Sequence, residues 1–130
     1  MADIRLTPSQ ELAVKSRGSA LLVSAAAGSG KTRVLVERLM SYVTDEENPR
    51  DIDAFLVITY TNAAAAELRS RILDELDKRL AADPGNRSLR RQSALCYRAQ
   101  IGTIHSFCKR VIRENCHLLG IAPDFKVMEE

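Results

Sequence analysis

A chain of 130 residues, 45% hydrophobic and 28% charged, has the composition of one ordinary globular domain or part of one. It excludes a disordered chain and a disulfide framework, since three cysteines (Cys96, Cys108, Cys116) without paired spacing suit a reducing, cytoplasmic setting. No apolar run approaches a membrane span, and Met1-Ala2-Asp3-Ile4-Arg5 lacks the basic and apolar regions of a leader, so no membrane partner is expected.

Taken in order, Leu6-Thr7-Pro8-Ser9-Gln10 starts a helix, with Thr7 as N-cap, Pro8 at the first helical position and Gln10 three residues after the cap. Capping explains Gln10, and so does a second job: its amide offers a donor and an acceptor together, as the edge of adenine does. Gly18 closes this helix. The run Ala20 to Ala26 is apolar enough for a strand buried on both faces of a parallel sheet.

Next come Ala25, Ala26, Ala27, Gly28, Ser29, Gly30, Lys31, Thr32 and Arg33, opening a helix to about Tyr42. An apolar run, a glycine-bearing loop and a helix starting at Lys-Thr form the context of a phosphate-binding P-loop. Unpaired N–H groups of the loop and of the first helical turn, with the helix dipole behind them, favour a triphosphate there. Lys31 is expected to reach the β and γ phosphates of a nucleotide and the Thr32 hydroxyl to sit on magnesium. The general pattern wants glycine where this chain has Ala25.

Asp45 to Asp53 carries five acids against Arg50 and reads as an exposed connection. Ala54 to Tyr60 is the second apolar strand, ended by Thr61-Asn62, with Asn62 expected to cap a long helix from Ala63 to about Ala82. Leu68, Ile72, Leu76 and Leu80 recur at i+4 and make its buried stripe. Asp83-Pro84-Gly85-Asn86 is a turn, followed by a basic helix over about Ser88 to Arg98. A short strand near Gln100 to Gly102 leads into a helix from Thr103 to about Leu119, closed by Gly120 and Pro123. From Arg87 to His117 seven basic residues face one acid, Glu114, which suits either nucleic acid or a solvated helix face. His105, Cys108, Cys116 and His117 match no zinc spacing and read as core or helix-face residues. Strand and helix alternate, which argues a parallel α/β sheet.

Four stretches resemble motifs of the superfamily 1 (UvrD/RecB-like) DNA helicases, and together they span almost the whole chain in that family's order. Leu6 to Gln10 resembles the adenine-reading Q motif. Ala25 to Thr32 resembles motif I (Walker A), where alanine at the first position is usual. Ile58-Thr59-Tyr60-Thr61-Asn62-Ala63-Ala64-Ala65-Ala66-Glu67-Leu68 resembles motif Ia, and Gly102-Thr103-Ile104-His105-Ser106-Phe107-Cys108 the next DNA-contacting motif. The Ser24-Ala-Ala-Ala-Gly spelling, the alanine run after Asn62 and the tail Ala122 to Val127 look most like the AddA type of bacterial helicase–nucleases.

The resemblance implies that residues 1–130 are the N-terminal part of a RecA-like P-loop motor domain, 1A, with a parallel sheet flanked by helices. That motor would use ATP and Mg2+ to translocate 3′→5′ on single-stranded DNA. It would belong to a helicase–nuclease of double-strand break repair and recombination, acting on single- and double-stranded DNA beside an AddB-like partner. By the same resemblance Leu6 and Gln10 flank the base, Ala25 to Arg33 hold the nucleotide, and Lys31 and Thr32 are catalytic. Tyr60, Thr61, Asn62, Thr103 and His105 contact DNA; the resemblance brings Phe107 near them too, but packing reads Phe107 as core. A P-loop NTPase needs a second acid at another strand end; the strand ending at Tyr60 finishes in Thr-Asn, and the polar tail Phe125 to Glu130 is too short to be claimed, so the chain is expected to be the front of a longer protein. A UvrD/PcrA-type repair helicase, a P-loop enzyme of another class such as a small-molecule kinase, and a non-enzymatic binding module remain as alternatives.

Overall fold

Helix α1 (Pro8–Lys15) starts on the expected capping box: the Thr7 hydroxyl accepts from the Gln10 N–H and the Gln10 side chain accepts from the Thr7 N–H. The computed structural model describes residues 5–18 and 20–128. The leaderless reading of Met1 to Ile4 and the end of the polar tail, Glu129 and Glu130, lie outside them. After α1 come α2 (Lys31–Val43), a single 3-10 turn at Ile52–Ala54, β1 (Leu56–Thr59), α3 (Asn62–Ala82), α4 (Arg87–Cys96), β2 (Gln100–Thr103), α5 (Ile104–Glu114) and α6 (Cys116–Leu119).

Strands β1 and β2 pair in parallel, Leu56 opposite Gln100 through Thr59 opposite Thr103. Parallel pairing requires a crossover, supplied here by α3 and α4. One face of the pair carries Val57 and Ile101 and packs against α3, whose Leu68, Ile72 and Leu76 are buried as the i+4 spacing predicts. Met40 and Val43 of α2, Ile52, Leu89 and Cys96 complete this core. Arg69 of α3 ties it down, its guanidinium donating to the carbonyls of Cys96, Ala99 and Ile101 where α4 turns into β2. Burial pushes the Cys96 thiol pKa up, against a smaller opposing pull from Arg69, so this cysteine is a core residue in its chemistry too.

Three expectations need correction. Ala20 to Ala26 is not a strand: among the described residues the sheet has two strands, and this run belongs to no ladder. Apolar character suits a buried strand, but a strand exists only by pairing, and β1 and β2 take each other. Leu21, Leu22 and Val23 are left open to water, Leu22 at 93% exposure. The cap of α3 is Thr61 rather than Asn62, the Thr61 hydroxyl accepting from the Ala64 N–H at 3.1 Å. The last helix is two, because α5 ends at Glu114 and the chain turns at Asn115 before α6.

Candidate functional site

The loop from Ala25 to Gly30 is exposed along most of its length and turns on two glycines in the left-handed region, Gly28 at φ +76° and Gly30 at φ +84°. Side-chain-bearing residues adopt that region at a cost, which explains the glycine spacing. A methyl group on Gly30 would also lie 3.3 Å from the Gln10 amide nitrogen. Gly30 is the N-cap of α2 and makes no side-chain cap bond, so the helix presents its first N–H groups beside the loop. Lys31 donates from its ammonium to the carbonyls of Ala25 (2.7 Å) and Ala26 (2.8 Å), folding back over the loop it follows. Thr32 is exposed on the first turn, and Arg33 is half-buried beside it.

The Gln10 amide joins α1 to this loop. Its oxygen accepts from the Thr7 N–H at 2.9 Å, and its nitrogen donates to the Ser29 carbonyl at 3.0 Å. Gln10 is thus a cap and a loop contact at once. An amide has two hydrogens and two lone pairs, so one of each is left for a ligand. Leu6 packs beside Ala13, Val14 and Val34, one turn from Gln10. The residues fit a nucleotide triphosphate with a magnesium ion: an exposed glycine loop, an uncapped helix start, a lysine already among the loop's polar groups, a threonine hydroxyl on the first turn and an amide at the loop edge.

The second group of expected site residues gathers at the C-terminal ends of the strands. The register sets Thr59 against Thr103, so Tyr60 to Asn62 and Ile104 to His105 leave the sheet side by side. Tyr60 is fully exposed, and Asn62 and His105 are exposed. Thr61 is exposed, but its hydroxyl is occupied in capping α3. Thr103 departs from expectation: it is buried, and its hydroxyl accepts from the Ser106 N–H (3.2 Å) and bonds the Ser106 hydroxyl (3.0 Å) as the cap of α5. A phosphate contact from Thr103 would have to break that cap.

Phe107, expected as core, is half-buried. It lines a cleft of about 330 Å3 on the open face of the sheet, with Leu56, Ile58, Tyr97, Arg98 and Arg110. The basic third of the chain thus supplies two arginines to a recess, which charge counting alone does not reveal. Missed altogether are Arg17 and Arg38, which hold α1 against α2. Their partners include backbone carbonyls of α1, and a carbonyl leaves no mark in a sequence.

The family model for the UvrD/REP helicase N-terminal domain matches residues 6–130. Curated relatives are named as the A-subunits of ATP-dependent helicase/nucleases. One from Clostridium perfringens is 53% identical over 124 residues, and one from Bacillus licheniformis is 50% identical over 124 residues, each alignment covering 95% of this chain. A third, from Clostridium beijerinckii, is 49% identical over all 130 residues. In each case the alignment spans 10% of the relative's own length.

Proposed function

Since this chain belongs to the UvrD/REP helicase family and matches its N-terminal domain, we propose that it is the nucleotide-binding front of a RecA-like motor. That motor uses ATP and Mg2+ to move 3′→5′ along single-stranded DNA. The observation that carries the reading is the junction of Gln10, Ser29 and Lys31, which gathers a base-edge amide, an open glycine loop and a phosphate-seeking ammonium at one helix start. ATP, when bound, supplies the phosphoanhydride bond whose hydrolysis drives movement.

This chain's residues bind and orient. The ammonium of Lys31 would exchange the Ala25 and Ala26 carbonyls for phosphate oxygens, the loop N–H groups would surround the phosphates, and the Thr32 hydroxyl would hold the magnesium ion. The spare donor and acceptor of Gln10 meet the base. Tyr60 and His105 hold successive nucleotides by their ring faces, with Asn62 nearby for the backbone. Thr61 and Thr103 serve this track through the helix caps they make.

The identities near one half with relatives named as helicase/nuclease components favour a helicase–nuclease of break repair over a UvrD/PcrA-type enzyme. The whole protein then works on DNA in the cytoplasm beside a second, different protein chain. No helix among the described residues is long and apolar enough to cross a membrane.

Lys31→Ala in the full-length protein tests the reading. DNA-dependent ATP hydrolysis and unwinding should fall to background while the melting temperature holds, because the ammonium contacts only exposed loop carbonyls. Hydrolysis at the wild-type rate would remove the P-loop from the mechanism.

A further inference from the structure

Helix α1 has eight residues, too few to persist on its own in water. Its apolar anchoring is small: Ala13 and Val14 against Val34, with Leu6 at the edge. Yet its first turn must be placed to within a hydrogen bond for the Gln10 amide to meet the Ser29 carbonyl at 3.0 Å. What holds it lies at the other end. Arg38, on α2, donates to the Ala13 carbonyl and to the Tyr42 hydroxyl. Arg17, just past α1, donates to the Val14 carbonyl at 2.7 Å and to the Ser41 hydroxyl at 2.8 Å. The Arg17 guanidinium also lies over the Tyr42 ring, 3.8 Å from its centre, and Arg38 approaches the same ring at 5.5 Å. Both arginines satisfy carbonyls at the C-terminal end of α1, where cations are favoured by the helix dipole.

We propose that Arg17 and Arg38 are positioning residues for the nucleotide base, clamping α1 to α2 through Tyr42 so that Gln10 stands against the Ser29 carbonyl. The proposal rests on the reading of Gln10 as the base contact. The clamp shares no atom with the phosphates. Loosening it lets α1 swing while the loop, which leads into α2, and Lys31, its first residue, stay in place. Base recognition and phosphate recognition therefore come apart when the clamp is cut.

Calorimetric titration of the full-length protein with ATP, GTP and inorganic tripolyphosphate reads the two separately. Wild type should prefer ATP over both competitors, and Gln10→Ala should erase the preference. Arg38→Met should weaken ATP about tenfold and Arg17→Met about threefold, the scale of one charge-assisted hydrogen bond ceasing to hold. Tripolyphosphate affinity should stay within about twofold in both variants. Equal losses for ATP and tripolyphosphate, or no loss for either, would overturn the clamp. If Gln10→Ala loses the preference and both arginine variants keep it, the base contact stands and the clamp falls. A wild-type protein that binds ATP and tripolyphosphate alike defeats the base reading and the clamp with it. Should Arg38→Met melt below the working temperature, Arg17→Met, which leaves the Arg38 bonds intact, decides the matter.

Discussion

The glycine-loop end and the strand end of this molecule are held together by different physics. Around β1, β2 and α3, position comes from apolar burial: Met40, Ile52, Ile72, Leu76 and Cys96 are fully enclosed and interlock across four elements. Around α1 and the glycine loop, position comes from side chains donating to single carbonyls, of Ala13, Val14, Ala25, Ala26 and Ser29. Helix α2 belongs to both, giving Val34 to the small cluster and Val36, Leu39, Met40 and Val43 to the large one. Buried apolar contacts are lost together on unfolding, whereas carbonyl bonds in an exposed loop exchange one at a time with water or a ligand. The pairing gives a body that stays put and a rim whose bonds can be traded.

The sharpest way to break the comparison is through the body. Leu76→Ala removes a fully buried side chain from the α3 stripe and should cost about 2–5 kcal/mol, read as a lowered urea midpoint at unchanged slope. Nucleotide affinity of the protein that remains folded should not move, and a parallel loss would dissolve the division. Next comes the strand end's exposed rim. Tyr60→Ala should weaken single-stranded DNA binding by about five- to a hundredfold, since stacking is worth about 1–3 kcal/mol per base. ATP affinity without DNA should be unaffected, and a Tyr60→Ala protein that binds DNA normally would leave that ring without a role.

The smallest effect concerns a polar joint inside the body. The amide of Gln92, itself buried, donates to Asp51 at 2.7 Å and accepts from the Ile52 N–H at 2.9 Å, and Arg91 grips the same carboxylate with two bonds. The Gln92 hydrogen bond, ahead of Arg91, holds the Asp51 pKa below the ordinary carboxylate value. A lowered pKa adds stability that is fully present above about pH 4 and is lost as pH falls through the lowered value. Melting temperature followed from pH 6 down to about pH 2 should therefore drop more steeply for wild type than for Asp51→Asn. Parallel curves would show that Asp51 titrates as it does in the unfolded chain.

How much of this was legible depended on how far apart the partners lie in the chain. The capping box at Thr7 and Gln10, the turn at Asp83 to Asn86, the glycine loop and the buried stripe of α3 are set by neighbours within a turn or two, and the sequence announces them. The bond from Gln10 to Ser29 spans nineteen positions, and those from Arg69 to the α4–β2 turn span 27 to 32, so no local pattern signals them. Thr103 shows a different limit. A threonine at a strand-to-helix junction is equally suited to a phosphate and to the nearest free N–H, and here the nearest N–H has it. The apolar run before the glycine loop shows a third, because composition reports the wish for a partner strand and not its presence.

That run has a consequence for handling the chain by itself. Residues 20–26 hold no charge and no proline, and Leu21, Leu22 and Val23 stand in water beside a loop that offers no gatekeeping side chain before Lys31. A short, neutral, apolar stretch whose N–H and C=O groups join no ladder offers a surface to other copies. At high concentration the exposed Leu21, Leu22 and Val23 should promote association between copies of the 130-residue chain. The seven residues that composition suits to the inside of a sheet are, outside one, where copies should first adhere.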